Sequence, residues 1–136
     1  MMLEEQLMKF SFFNKTGGFS IRKNSRSMIE SMNYTAELLR DHRNMVLLFP
    51  QGKIESCYKQ PILFEPGVNR IIEKIGSPVQ IIFMANLIDY FSSRKPGIFM
   101  YIYEYKEDKF DLGSIQEAYN RFFNQCITSN SLKFND

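Results

Sequence analysis

Apolar residues recur along the chain at the spacing of three and four positions that is typical of one face of a helix. Four groups have this spacing: Leu3, Leu7 and Phe10; Ile29, Met32, Ala36 and Leu39; Val68, Ile71, Ile72 and Ile75; and Ile115, Tyr119, Phe122 and Cys126. Each group predicts an amphipathic helix. The third helix is expected to begin near Gly67 and to end at Gly76, because glycine favours the left-handed backbone that closes helices.

Short apolar runs between these helices predict β-strands. The runs cover Phe19 to Ile21, Met45 to Phe49, Val79 to Met84, and Ile98 to Tyr105. Strands that alternate with helices are typical of layered α/β domains. The pattern therefore predicts an α/β fold with a mainly parallel sheet and flanking helices. We expect this domain to cover residues 1–128, followed by a polar tail over residues 129–136.

Composition agrees with a folded domain in a reducing compartment. Of the 136 residues, 44% are hydrophobic and 15% aromatic, which is enough to build a buried core. Cys57 and Cys126 lack the spacing of a metal site, so we expect reduced thiols and no metal. No window approaches the roughly 18 uninterrupted apolar residues of a membrane span. We therefore expect a cytoplasmic protein, with peripheral contact at the inner face of the membrane left open.

The net charge of +2 is small, but its distribution is uneven. No acidic residue occurs from Gln6 to Ile29, and that stretch contains Lys9, Lys15, Arg22, Lys23 and Arg26. A local excess of positive charge attracts phosphate or an anionic surface. Arg22, Lys23 and Arg26 follow Gly17 and lie just before a predicted helix, whose free N–H groups favour an anion. The alternative is a solvated basic loop that binds no ligand.

A second candidate site is the sequence FPQGKIES at residues 49–56. It follows an apolar run, and open α/β sheets bind ligands where their parallel strands end. Gly52 allows the backbone to approach a ligand closely, and Lys53 supplies a point charge for a phosphate. The alternative is an ordinary Pro-Gly surface turn.

Both segments resemble blocks of the glycerolipid acyltransferases of the lysophosphatidic acid type. Residues 17–26 are similar to the family's Gly-x-x-x-Ile-x-Arg-like block, with Lys23 where the family usually has Arg. The FPQGKIES segment is similar to the Phe-Pro-Glu-Gly-Thr-Arg-Ser block. There the Glu, Thr and Arg of the family are replaced by Gln51, Lys53 and Ile54. Two further segments, Phe64-Glu65-Pro66-Gly67 and Ser77-Pro78-Val79, follow in the family's order, so that the resemblance covers residues 1–84.

The resemblance implies an enzyme of phospholipid biosynthesis. Such an enzyme transfers an acyl group from acyl-CoA or acyl-ACP to a hydroxyl of a phosphate-bearing acceptor such as lysophosphatidate. The lipid acceptor and the acyl thioester donor are thus the implied partners, with no bound cofactor and no nucleic acid. The residues to which the resemblance assigns acceptor binding are Gly17, Arg22, Lys23, Arg26, Pro50, Gln51, Gly52 and Lys53.

The family's catalytic His-x-x-x-x-Asp pair has no counterpart in this sequence. His42 is the sole histidine, and Leu47 stands five positions later. In the family the histidine acts as general base on the acceptor hydroxyl, and the aspartate orients the imidazole. His42 instead ends a predicted helix, where a cation is favourable. We therefore predict no catalytic residue here, an N-terminally incomplete domain whose catalytic pair would lie upstream of Met1, and a chain that is inactive alone.

Two alternatives stay open. One is a non-catalytic remnant that binds an anion or a lipid. The other is an acyltransferase for a different hydroxyl, such as that of a sugar, a carotenoid or an amino-lipid. The departures from the family at Gln51 and Ile54 favour the latter.

Overall fold

The computed structural model describes residues 2–3, 20–21, 26–53, 55–56, 59–76 and 78–133. In chain order the elements are β1 (Met2–Leu3), β2 (Ser20–Ile21), α1 (Arg26–Leu38), α2 (Gly67–Ile75), β3 (Ile81–Asp89), β4 (Gly97–Tyr105) and α3 (Leu112–Ser131). The chain divides into two compact units. The first comprises Met1–Ile54 and Leu63–Val79, and the second comprises Glu55–Ile62 and Gln80–Asp136.

The first unit is built on the packing of α1 against α2. Its buried core consists of Met32 and Ala36 from α1 with Ile71 and Ile75 from α2. These residues are four positions apart in each helix, so each helix buries one face. Both helices had been predicted from this spacing, and both predictions are confirmed. Ile29, which was expected on the buried face of α1, is instead 45% exposed.

Gly76 ends α2, as its position after the last apolar residue of the helix predicts. Its φ of +61° lies in the left-handed region, which is costly for residues that have a Cβ. Lys74 in the last turn adds a positive charge at the negative end of the helix dipole. The predicted C-terminus of this helix is therefore confirmed.

The second unit is an antiparallel hairpin that packs against α3. β3 and β4 pair in a continuous register, from Ile81 opposite Tyr105 to Asp89 opposite Gly97. Alternate side chains of both strands face α3, because successive strand residues point to opposite sides of a sheet. The buried apolar side chains of this unit are Ile62, Phe83, Ala85, Leu87, Tyr105, Ile115, Ala118, Phe122, Phe123 and Cys126.

Aromatic rings join the hairpin to α3. Phe83 of β3 meets Tyr119 edge-to-face with ring centroids 5.3 Å apart, and its ring lies 6.0 Å from that of Phe122. Tyr103 of β4 stacks on Phe122 at 5.7 Å. Such pairs contribute about 1 kcal/mol each beyond the area they bury. These contacts therefore fix how α3 lies on the sheet.

Asn120 of α3 holds Ile62, the last residue of the 55–62 segment of the second unit. The Ile62 N–H donates to Asn120 Oδ1 at 2.7 Å, and Asn120 Nδ2 donates to the Ile62 carbonyl oxygen at 2.9 Å. The side chain of Ile62 is itself buried. A buried backbone needs partners for both of its polar groups, and one amide side chain supplies both here.

The predicted α/β fold with a mainly parallel sheet is wrong. β3 and β4 pair antiparallel. Among the described residues, parallel pairing is limited to Met2 with Ser20 and Leu3 with Ile21. The connection between β3 and β4, residues 90–96, is shorter than the dozen or so residues that a parallel crossover requires. The run Met45 to Phe49, predicted as a buried strand, belongs to no strand or helix.

Other predictions have mixed outcomes. β4 matches the predicted strand from Ile98 to Tyr105, and β2 matches two residues of the predicted strand at Phe19 to Ile21. Leu3, predicted in a helix, lies in β1, while Leu7 and Phe10 of that helix lie outside the described residues. The division into a domain over residues 1–128 and a tail over residues 129–136 stays a prediction.

Asp111 caps the N-terminus of α3. Its Oδ1 accepts the Ser114 N–H at 3.0 Å, and its Oδ2 accepts the Ser114 hydroxyl at 2.6 Å. These hydrogen bonds, first from the side chain and then from the backbone of Ser114, lower the pKa of the Asp111 carboxyl. A lowered pKa in the folded state stabilises the fold above the unfolded pKa of about 4. That stability is lost as the pH falls through the lower, folded value.

We predict that Asp111→Asn removes part of the acid sensitivity of this protein but keeps the cap. Asparagine caps helices as well as aspartate but does not titrate. Urea unfolding followed by circular dichroism, at pH 7 and again at about pH 2.5, should show a smaller loss of stability in Asp111→Asn than in the wild type. Asp111→Ala should be less stable than both at pH 7. Asp108→Asn, an exposed carboxylate nearby, is the matched control, and equal pH dependence in all variants would contradict the prediction.

Candidate functional site

Two motif segments of the first unit meet in one structure, which we call the double turn (residues 49–53 and 64–67). The Gly52 N–H donates to the Phe49 carbonyl oxygen at 3.2 Å and closes the first turn. The Glu65 N–H donates to the Pro50 carbonyl oxygen at 2.7 Å and joins the second segment to the first. Gly52 has a φ of +62°, and a Cβ there would lie 2.8 Å from Glu65 Cγ. Glycine thus serves both the backbone conformation and the close approach of Glu65.

The segment that leads into the double turn exposes apolar side chains. Met45, Leu47 and Phe49, which we call the apolar strip, are 87%, 51% and 63% exposed. Exposed and half-buried residues alternate over residues 45–49. Leu48 lies between them in sequence and packs against the core of α1 and α2. The segment is thus anchored through Leu48 and presents the apolar strip outward.

The predicted acceptor-binding residues fall into three groups. Pro50, Gln51, Gly52 and Lys53 lie together in the double turn, with Lys53 exposed directly after Gly52. Arg26 is exposed at the first residue of α1. Gly17, Arg22 and Lys23 lie outside the described residues, so their role stays a prediction.

His42 lies in the turn after α1 and is exposed. The neighbouring carboxylate of Asp41 accepts hydrogen bonds from the Arg43 side chain, at 3.1 Å from Nε and 2.8 Å from a terminal nitrogen. The Arg43 N–H also donates to Asp41 Oδ1 at 3.0 Å. These bonds lower the pKa of Asp41. The carboxylate next to the sole histidine therefore orients an arginine rather than an imidazole.

The described residues contain neither a reactive thiol nor a group of metal ligands. Cys126 is buried, and burial raises the pKa of its thiol, which keeps it protonated and unreactive. In the part of the chain that the structure describes, no three His, Cys, Asp or Glu side chains are grouped to hold a metal ion. No helix among those residues is long and apolar enough to cross a membrane.

Two features of this site are absent from the set of residues that the sequence predicts. Glu65 was not included, although its segment Phe64-Glu65-Pro66-Gly67 had been identified as a motif. The apolar strip was expected to be buried, because an apolar run of five residues has the same appearance in a buried strand. The repetition of a Phe-x-x-Gly pattern at residues 49–52 and 64–67 was the sequence signal that could have identified Glu65.

No protein-family model, characterised protein or solved structure matches this chain. The resemblance to glycerolipid acyltransferases therefore rests on the motif residues alone. Function is therefore inferred from the geometry of the double turn and the apolar strip.

Gly52→Ala should destabilise the first unit more than Gly76→Ala does. Both substitutions place a Cβ in the left-handed region, at a cost of about 1–2 kcal/mol. At Gly52 the new Cβ also meets Glu65, whereas at Gly76 the nearest atom is 3.9 Å away. We expect an extra loss of about 1 kcal/mol at Gly52.

Thermal and urea unfolding of the two variants measure this difference. Gly52→Ala combined with Glu65→Ala should recover the extra loss but leave the left-handed strain. Equal stability of Gly52→Ala and Gly76→Ala would show that Glu65 does not crowd the turn.

Proposed function

We propose that this chain binds a single-chain, phosphate-bearing lipid of the lysophosphatidate type. In acyl transfer such a lipid is the acceptor. The observation that carries the proposal is the exposed apolar strip that ends in a glycine turn followed by Lys53. One continuous segment thus has an apolar side and a cation, the two features of an amphiphilic anion.

The acyl chain supplies most of the expected affinity. Removing one methylene from water contributes about 0.8 kcal/mol, so covering about six of them on the apolar strip contributes about 5 kcal/mol. An exposed ion pair such as Lys53 with a phosphate contributes about 1 kcal/mol or less. Lys53 therefore selects the charge of the headgroup, while Met45, Leu47 and Phe49 hold the chain.

The double turn determines how closely a headgroup can approach. The space of a Gly52 side chain is occupied by Glu65, so a phosphate reaches the backbone there only when the Glu65 side chain moves away. Glu65 lies beside Gly52 and brings a negative charge into the same region. We infer that Glu65 weakens phosphate binding and that its neutralisation strengthens it.

Acyl transfer requires more than this site. The acceptor hydroxyl attacks the thioester of acyl-CoA or acyl-ACP, and a base must take the hydroxyl proton. His42 is the only histidine, and the carboxylate beside it is engaged by Arg43. We therefore propose that this chain contributes acceptor binding and does not catalyse transfer by itself.

A non-catalytic lipid-binding protein is the second candidate function. Residues 45–49, which lead into the FPQG turn, lie in no strand, whereas the acyltransferase interpretation places that turn after a parallel strand. Both candidates share the same lipid site, and they differ in whether this chain takes part in acyl transfer.

Binding should require both parts of the amphiphile. We expect oleoyl lysophosphatidate, kept below its critical micelle concentration, to bind more tightly than oleoyl lysophosphatidylcholine or glycerol 3-phosphate in calorimetric titrations. Leu47→Ser should weaken binding about tenfold and Lys53→Gln a few-fold, with the Lys53 effect fading at high salt. Glu65→Gln should strengthen binding.

Matched controls are Ile29→Ser, an exposed apolar residue on α1, and Lys109→Gln, an exposed lysine of the second unit. Neither should change affinity. Equal affinity for the phosphocholine lipid, or full affinity in both Leu47→Ser and Lys53→Gln, would rule out the proposed site. A panel with sugar, carotenoid and amino-lipid acceptors tests the alternative acceptors.

The purified chain should not transfer acyl groups. With oleoyl-CoA and lysophosphatidate, we expect no release of free CoA above the rate without protein. Acyl transfer that His42→Ala abolishes would overturn this prediction, because it would make His42 a working general base.

A further inference from the structure

The hairpin of the second unit has an apolar face on the side opposite to α3. The register places Ile82, Met84, Asn86 and Ile88 of β3 opposite Glu104, Ile102, Met100 and Ile98 of β4. The side chains of such pairs lie on the same side of a sheet. We call the apolar members the open sheet face: Ile82, Met84, Ile88, Ile98, Met100 and Ile102.

The open sheet face is highly exposed. Ile82, Ile88, Ile98, Met100 and Ile102 are 52%, 63%, 69%, 59% and 64% exposed. Together they present on the order of 500 Å² of apolar surface, at the upper end of what monomeric proteins expose in one patch. Antiparallel sheets with one solvated face usually have polar residues there. Strands that are apolar on both faces indicate a sheet that is covered on both.

We propose that the open sheet face binds the same face of a second copy of this chain, so that the protein forms a two-fold dimer. Each hairpin then lies between α3 of its own chain and the hairpin of the other. A two-fold interface uses one patch twice, so the patch must be self-complementary.

The charges at the two ends of the hairpin fit a two-fold dimer in which the two hairpins run antiparallel to each other. At one end, residues 104–109 contain three carboxylates and two lysines, and so a net charge of −1; Glu104 is paired with Lys106 and Glu107 with Arg121. At the other end, the loop over residues 90–96 contains Arg94 and Lys95 and no carboxylate. A two-fold axis perpendicular to the strands places the acidic end of one copy against the basic loop of the other. At both ends of the paired hairpins, the carboxylates of one copy then lie near the basic side chains of the other.

The composition of the open sheet face favours a protein partner over a lipid surface. Its apolar members are all aliphatic, whereas proteins that lie at a membrane interface place Trp and Tyr there. The tyrosines of β4 are Tyr101, Tyr103 and Tyr105, and they occupy the side that faces α3. Glu104 shares the open side with Ile82 and would be repelled by anionic lipid.

The oligomeric state in solution tests the proposal. Sedimentation equilibrium of the full chain from about 1 to about 100 µM should show a species of twice the 16.1 kDa chain mass. Ile102→Lys and the milder Ile102→Thr should each weaken dimerisation at least tenfold. Circular dichroism shows whether each variant is folded. If Ile102→Lys does not fold, Ile102→Thr still tests the interface, because threonine is favourable in strands.

Two controls separate this face from other exposed apolar residues. Leu63→Lys, at a residue 58% exposed in the first unit, and Leu47→Ser in the apolar strip should leave the dimer intact. Dimer loss in Leu47→Ser with none in Ile102→Lys would overturn the proposal and would assign association to the lipid site instead.

Charge reversal tests the orientation. Arg94→Glu with Lys95→Glu should weaken the dimer, and adding Glu104→Lys should restore part of it. No restoration would contradict the antiparallel arrangement of the two hairpins. A wild type that stays monomeric overturns the proposal, whether or not it sediments with vesicles of phosphatidylcholine and phosphatidylglycerol. Vesicle binding lost in Ile102→Lys would identify a membrane as the occupant.

Discussion

A single helix can cover only one face of a sheet, and this limit determines what the second unit exposes. α3 lies on one face of the hairpin, where Phe83, Tyr103 and Phe122 form a ring cluster. The opposite face has the same apolar character but no helix over it among the described residues. Because water disfavours apolar surface in proportion to its area, this face is the strongest physical reason for the protein to associate.

The first unit also exposes apolar side chains that its helices do not cover, over a smaller area. Its core is closed by four side chains from two helices, and Leu48 attaches the next segment to that core. On either side of Leu48, the side chains of Leu47 and Phe49 are exposed. The apolar strip is the result. Its position before Gly52 and Lys53 makes it suited to an amphiphile, whereas the open sheet face has no cation within it.

The two surfaces have different chemistry and so suit different partners. The proposed lipid site combines a narrow apolar strip, a glycine turn and one lysine, which matches a small ligand with one charged end. The open sheet face is broad and aliphatic, with charge only at its ends, which matches another protein surface. A backbone hydrogen bond from the Glu65 N–H to the Pro50 carbonyl oxygen joins the two segments of the double turn.

The sequence by itself determined the helices. α1, α2 and α3 follow from apolar periodicity, and Gly76 ends α2, because helix formation depends on residues within a few positions of each other. The left-handed turn at Gly52 is equally local. Strand direction was decided only by the tertiary structure. β3 continues to Asp89, beyond the predicted end at Met84, and the shortened connection allows only antiparallel pairing. The exposure of Met45 to Phe49 and the contact of Glu65 with Gly52 also depend on the tertiary structure. Burial and pairing require partners that the local sequence does not specify.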